Sequence, residues 1–109
     1  MNAMSDKQVS EIKFDDLHEN DTVVVETAHN VYTFRLRDTE HQMGDLAGGA
    51  IERSSSAVLG GTVDEQEFFQ DRLRVGGRAL FFSSVPQDRG AFKRIVTSPI
   101  SRIRLSRAA

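Results

Sequence analysis

The run Tyr32-Thr33-Phe34-Arg35-Leu36-Arg37 alternates apolar and polar side chains, and this alternation decides the fold class of the chain. Successive side chains of a β-strand point to opposite faces, so the run predicts a strand with one buried face and one face in water. The preceding run, Thr22–Glu26, is rich in β-branched residues, which favour strands. Together the two runs predict a β-hairpin over Thr22–Asp38.

Further short strand patterns follow at intervals typical of small all-β domains. They are Ala57–Leu59, Arg72–Val75, Arg78–Ser83, Phe92–Thr97 and Ser101–Leu105, the last two separated by Ser98-Pro99. Three double glycines supply the permissive backbone that sharp corners need. The sequence therefore predicts a mainly β fold, a small six- or seven-stranded barrel of the SH3-like, Sm-like or a related type.

Three segments lack a clear strand pattern. Phe14–Asp21 is expected to form one helical turn, because its apolar residues lie three apart among polar ones. Thr39–Ser56 is polar and contains three glycines, so we expect an irregular excursion with one short strand near Ala50–Arg53. Thr62–Asp71 fits either a short helix or a loop, and its acidic first turn favours the helix.

The 109 residues suffice for one domain and are too few for two independent cores. We expect a disordered N-terminal tail over residues 1–8 and a single β-barrel domain over residues 9–109. The absence of cysteine excludes disulfides, thiolate metal sites and cysteine nucleophiles. No apolar run has the length of an export signal or a membrane span, so a cytoplasmic protein without membrane contact is expected.

The charges are segregated along the chain. Up to Asp71 there are five basic and fifteen acidic residues, whereas from Arg72 onward there are nine basic and one acidic. Such asymmetry can mark a nucleic-acid surface. The alternative is that the fold interleaves the two halves and neutralises their charges across neighbouring strands.

Three arginine pairs have the two-residue spacing that places both side chains on one face of a strand. If these strands were neighbours, the arginines would form a basic stripe suited to phosphates. The alternative is exposed ion pairs with Glu26, Asp38, Glu65 or Glu67. A pI of 5.9 and few exposed aromatic residues weigh against nucleic acid. The candidate nucleic-acid-binding residues are Arg35, Arg37, Arg72, Arg74, Arg102 and Arg104.

Ser10-Glu11-Ile12-Lys13 matches the Ser-x-x-Lys pattern of acyltransferases but lacks its partner motifs, and no serine elbow or phosphate loop is present. We therefore predict no catalytic residues, no cofactor and no metal site. The three histidines lack the close spacing of metal ligands. A small metal-dependent hydrolase built around Asp15, Asp16, His18 and Glu19 is an alternative, although their spacing does not match a calcium-binding loop.

Four stretches resemble a family of short bacterial β-barrel proteins of unknown function. They are Val23–Tyr32, Leu46–Gly49, Val75–Phe82 and Thr97–Ile103. The resemblance covers about Phe14–Leu105 and implies a barrel fold without implying an activity.

A second likeness is to the Sm-like RNA-binding barrels. The chain is similar to them in its short helical start, the hairpin over Thr22–Asp38 and a later Val75-Gly76-Gly77 beside a hydrophobic strand. It departs from them where Gly44 replaces the asparagine of the Sm Asp-x-x-Met-Asn loop, and in an extra strand pair.

These observations favour a noncatalytic binding or structural module that engages a protein partner through a barrel face or the Thr39–Ser56 segment. Binding of single-stranded RNA or DNA through the arginine pairs is the second hypothesis, and the metal-dependent hydrolase is the third.

Overall fold

The protein is mainly β. The structure, a computed structural model, describes residues 5–49, 51–85 and 90–107. In these residues one turn of 3-10 helix, Phe14–Asp16, accompanies ten strands. The strands are β1 Ser5–Val9, β2 Glu11–Lys13, β3 Thr22–Thr27, β4 Val31–Asp38, β5 Met43–Gly48, β6 Ile51–Val63, β7 Phe68–Phe69, β8 Arg72–Arg74, β9 Arg78–Ser84 and β10 Phe92–Arg107.

The predicted hairpin over Thr22–Asp38 is confirmed. β3 and β4 pair antiparallel, with Val23 opposite Phe34 and Val25 opposite Tyr32. These four side chains are buried, whereas Thr33 between them is exposed, as the alternation predicts. The helical turn expected within Phe14–Asp21 is also present, although it is a single 3-10 turn.

The irregular excursion predicted over Thr39–Ser56 is wrong, although the short strand expected near Ala50–Arg53 is present from Ile51 onward as the start of β6, and Ala50 lies outside the described residues. β5 and the first part of β6 form an antiparallel hairpin instead, and β5 also pairs with β4. The glycines that suggested irregular backbone sit where strands approach closely. A Cβ at Gly44 would overlap the carbonyl oxygen of Arg35, and Gly48 has a φ of +103° beside Val31.

The helical turn favoured for Thr62–Asp71 is likewise absent. β6 continues to Val63, and a tight turn follows in which the Asp64 N–H donates to the Glu67 carbonyl oxygen at 2.8 Å. The chain then returns as β7 against the end of β6. The aspartate carboxylate accepts from the Glu65 N–H, so the acidic residues stabilise a turn between strands.

Pro99 does not divide the C-terminal strand, contrary to the prediction of two strands over Phe92–Thr97 and Ser101–Leu105. β10 runs through it, and the register shifts near the proline. The first part of β10 pairs with β9, and the second part pairs with β3 and β1. The proline lies where the strand changes partners, so its missing N–H is tolerated.

The tail expected over residues 1–8 ends earlier than predicted. Ser5–Gln8 belong to β1, which pairs antiparallel with the end of β10 from Ser5 opposite Arg107 to Val9 opposite Ile103. Residues 1–4 lie outside the described part of the chain.

The core lies between the inward faces of the large sheet and the small sheet formed by β2 and β8. Phe34 and Phe81 are almost wholly buried at its centre, with ring centroids 5.8 Å apart. Thr62 joins the two sheets, because its hydroxyl donates to the Arg72 carbonyl oxygen and accepts from the Arg74 N–H. Within residues 5–49, 51–85 and 90–107, no helix has the length and apolar character needed to cross a bilayer.

Candidate functional site

Two of the three arginine pairs lie on one outward face of the large sheet. Arg35 and Arg37 are on β4, and Arg102 and Arg104 are on β10, with β3 between these strands. Adjacent strands lie about 4.8 Å apart, so β4 and β10 stand roughly 10 Å from each other across β3. The two pairs are also offset along the strands, because Arg35 is opposite Thr22 whereas Arg104 is opposite Val24. The third pair is on β8, in the small sheet.

Carboxylates neutralise three of the four arginines on this face. Arg37 Nε lies 2.7 Å from Asp45 Oδ2. Glu26 Oε2, on the intervening strand, lies 3.1 Å from Arg104 Nε and 3.8 Å from Arg102 Nη1. The ion-pair role predicted for Glu26 is therefore confirmed. These exposed pairs contribute less than about 1 kcal/mol each, but they occupy donors that a phosphate would need.

The other carboxylates proposed as arginine partners have different neighbours. Asp38 pairs with His41, and neither Glu65 nor Glu67 forms an ion pair with any described residue. Arg35 also lacks an ion pair within the part of the chain that the structure describes, and its side chain is exposed.

Each arginine of β8 contacts a carboxylate and an aromatic ring. Glu11 Oε1 lies 3.1 Å from Arg72 Nη1 and 3.5 Å from Arg74 Nε. Both guanidinium groups lie over the Phe69 ring, at 5.7 and 4.9 Å from its centroid. Arg72 also donates to Asp71, and this hydrogen bond lowers the pKa of the Asp71 carboxyl.

Of the candidate hydrolase residues, Asp15 and Asp16 belong to the 3-10 turn, and His18 and Glu19 follow it. Asp15, Asp16 and His18 line an open cleft of about 450 Å³ between β1, β2 and β10. The buried carboxylate of Asp21 holds Arg107 there at 2.6 Å, and the same guanidinium nitrogen lies 3.2 Å from His18 Nδ1. A guanidinium only donates hydrogen bonds, so Nδ1 of His18 accepts this one and its lone pair is occupied.

The structure brings together a different trio of potential ligands, Asp38, Glu40 and His41, in the turn between β4 and β5. Their ligand atoms lie within 4.8 Å of one another, and all three residues are exposed. Asp38 Oδ2 lies 2.8 Å from His41 Nδ1, which lowers the pKa of Asp38 and raises that of His41. The compact spacing Asp38-Thr39-Glu40-His41 is the signal that sequence reasoning passed over. In the structure these groups stabilise the turn, since Asp38 Oδ1 also accepts two backbone N–H groups.

A groove of about 470 Å³ lies between β6, β7, β9 and the β4–β5 turn. Val58, Leu59 and Gly60 line it from β6, and the rings of Phe68 and Phe82 also line it. Phe68 is 47% exposed, which is unusual for a large aromatic side chain. Four polar residues complete the lining: Glu40, His41, Gln42 and Gln70.

Two local features shape this groove. Gly60 leaves room for Phe82, because a Cβ at residue 60 would come within 2.9 Å of the Phe82 ring. Gln42 Nε2 donates to the Leu59 carbonyl oxygen at 2.9 Å and so fixes the β4–β5 turn against β6. The groove is thus built from strand residues and a fixed turn.

The apolar surface continues from the groove across β9 to β10. Phe82 has Val58 as its cross-strand partner on β6 and Arg94 as its partner on β10. Phe92 and Val96 flank Arg94 on the same face and are 51% and 46% exposed. We refer to Val58, Phe68, Phe82, Phe92 and Val96 as the groove face. Sequence reasoning missed it because it depends on the pairing of β6 with β9.

A comparison of the chain with models of protein families, with curated proteins and with solved structures returns no match.

Proposed function

We propose that this chain is a noncatalytic binding module that engages an extended segment of a protein partner on its groove face. The observation that carries the proposal is the exposed Phe68 ring beside the strand-built groove containing Val58 and Phe82. Exposed, contiguous apolar surface rimmed by polar groups is typical of protein interaction sites. Aromatic anchors supply much of the energy of such interfaces.

The binding role can be tested with the purified chain and a phage-displayed library of random 12-residue peptides. Enriched peptides are expected to share apolar residues and to lose at least tenfold in affinity for Phe68→Ala. Val31→Ala is the matched control, because Val31 is 48% exposed and lies on β4, away from the groove. A library that yields no enriched peptide, or peptides that bind Phe68→Ala as well as the native chain, would contradict the proposal.

We also propose that the large sheet is a small six-stranded barrel. β3, β4, β5, β6, β9 and β10 each pair with the next, and β10 pairs again with β3. Such a circuit is what closure of a sheet requires. The proposal predicts slow amide exchange wherever a strand of the circuit faces a partner, on both of its edges where it has two, and rapid exchange along one full edge of a central strand would contradict it.

Single-stranded nucleic acid is the second candidate ligand, and the observation that favours it is the common face of β4 and β10. Arg35 is exposed there and lacks an ion pair with any described residue. Fluorescence anisotropy with a labelled oligonucleotide at 50 and 200 mM salt tests this reading. Binding that weakens steeply with salt and is lost in Arg35→Glu would support it, whereas no binding at low salt would remove it.

A further inference from the structure

One edge of β10 lacks a strand partner along Phe92–Val96. Ile100 shows which neighbour lies on each edge of β10. Its N–H and carbonyl form hydrogen bonds with Gly77 and Gly76, on the side of β9. Thr27 of β3 lies opposite Ile100 on the other side. β3 ends at Thr27. Along Phe92–Val96, therefore, β9 occupies one edge, and no described strand pairs with the other. An unpaired edge offers backbone N–H and carbonyl groups to another chain.

The side chains along this edge are basic and apolar. Phe92, Arg94 and Val96 point to one face and are exposed, and Lys93 is exposed on the other. Neither Lys93 nor Arg94 forms an ion pair with any side chain that the structure describes. Most of the arginines described above are paired with carboxylates, so Lys93 and Arg94 differ from them in having no carboxylate partner among the described side chains.

This charge discriminates between possible partners. A second copy adding through the same segment would bring Lys93 and Arg94 close to the same two cations, and like charges on neighbouring strands are destabilising. A strand with acidic residues opposite these cations and apolar residues opposite Phe92 and Val96 would match the edge in both respects. Charge complementarity therefore favours an acidic polypeptide.

We propose that the free edge of β10 between Phe92 and Val96 accepts an acidic, extended segment of the partner as an added strand. The inference rests on the proposed binding role and specifies the chemistry of the partner. Main-chain hydrogen bonds to the edge would supply affinity, and acidic side chains opposite Lys93 and Arg94 with apolar side chains opposite Phe92 and Val96 would supply specificity.

The test uses the full chain labelled with ¹⁵N and two synthetic eight-residue peptides. One contains the run Val-Thr-Glu-Glu-Val, which as an antiparallel strand places its glutamates opposite Arg94 and Lys93 and its valines opposite Val96 and Phe92. The other has lysines in place of the two glutamates. The glutamate peptide is expected to slow the exchange of alternate amides within Phe92–Val96 at least tenfold, and the lysine peptide is expected to leave them unchanged. The double variant Lys93→Glu/Arg94→Glu should weaken binding of the glutamate peptide at least tenfold. Lys7→Glu/Lys13→Glu, which makes the same change in net charge at two exposed lysines outside this edge, should retain it.

Several outcomes would overturn the proposal. Equal weakening in the two double variants would mean nonspecific attraction. Protection confined to β1 or β7 would place the added strand at another edge, and protection of Phe92–Val96 by self-association of the unliganded chain would assign the edge to a second copy. If library peptides bind and depend on Phe68 while the glutamate peptide does not bind, strand addition fails and the binding role stands. Circular dichroism and thermal melting confirm that each variant is folded before its binding is interpreted.

Discussion

Arg107 Nη1 lies 2.6 Å from Asp21 Oδ2, and this ion pair ties the end of β10 to the residue before β3. The Asp21 side chain is 3% exposed and also accepts the His18 N–H at 2.8 Å, whereas Arg107 is 38% exposed. A buried carboxylate needs such partners, because an unpaired buried charge is costly.

Arg107→Met should therefore lower the free energy of unfolding by about 2 kcal/mol, because it removes charge-assisted hydrogen bonds to a buried group. Urea denaturation followed by circular dichroism measures the change. Arg35→Met is the control, since Arg35 is exposed and makes no ion pair with a described residue, and its effect should stay within about 0.5 kcal/mol. Equal losses in the two variants would mean that the ion pair does not stabilise the fold.

Gly44→Ala should destabilise the protein by about 3 kcal/mol or more, because the added methyl group would overlap the Arg35 carbonyl oxygen and come within 2.8 Å of the Phe34 ring. Gly76→Ala is the comparison, because it introduces backbone strain without crowding. Gly76 has a φ of +96° and no neighbour for a Cβ, so its replacement should cost about 1 to 2 kcal/mol. Thermal unfolding of both variants measures the difference, and a Gly44→Ala protein as stable as the native chain would refute the close approach of β4 and β5.

Thr62→Val keeps the side-chain shape but removes the hydroxyl that bonds to the Arg72 carbonyl oxygen and the Arg74 N–H. Both backbone groups lose this partner, so the free energy of unfolding should fall by about 1 to 3 kcal/mol. Thr33→Val, at an exposed position of β4, provides the comparison and should be nearly neutral. Chemical denaturation tests this prediction, and similar stabilities for the two variants would contradict a role for Thr62 in joining the sheets.

The His41–Asp38 pair predicts a specific pH dependence. The hydrogen bond from His41 to Asp38 raises the pKa of the imidazole above 6.5 and lowers that of the carboxyl below 3.8. The histidine contribution to stability is full below pH 6.5 and is lost as the pH rises through the raised pKa. The aspartate contribution is present above pH 3.8 and is lost as the pH falls through the lowered pKa.

An NMR titration of the His41 ring measures the first of these shifts. Asp38→Asn should bring the pKa of His41 back toward 6.5, and Glu40→Gln should lower it by less, because Glu40 acts only through its charge. A His41 pKa unchanged by Asp38→Asn would show that the hydrogen bond is not the cause.

The sequence predicts those segments of the fold whose pattern of apolar and polar side chains is compatible with only one structure. The alternation at Tyr32–Arg37 is enough to predict β4 and its buried face, and the β-branched run Thr22–Glu26 predicts its partner. The polar, glycine-containing β5 and the serine-rich start of β6 carry no such alternation. Their strand structure depends on partners far along the chain, so local pattern alone predicted a loop.

The candidate site was less accessible to sequence reasoning. The spacing of the arginine pairs predicts that each pair shares a strand face, but the placement of Glu26 between Arg102 and Arg104 depends on the register of β3 against β10. The groove face depends on register even more strongly, since Val58 and Phe82 become neighbours only through the pairing of β6 with β9. Pairing across long sequence separations is the information that a local pattern lacks.

β10 joins β1, β3 and β9, and this has a consequence for synthesis on the ribosome. Until residues 92–107 have left the exit tunnel, the nascent chain has β3 to β6 available, but Val23 and Val25 lack the cover that Ile103 and Leu105 provide. The emerging polypeptide therefore exposes apolar surface until residues 92–107 have emerged, and it cannot complete its core before then.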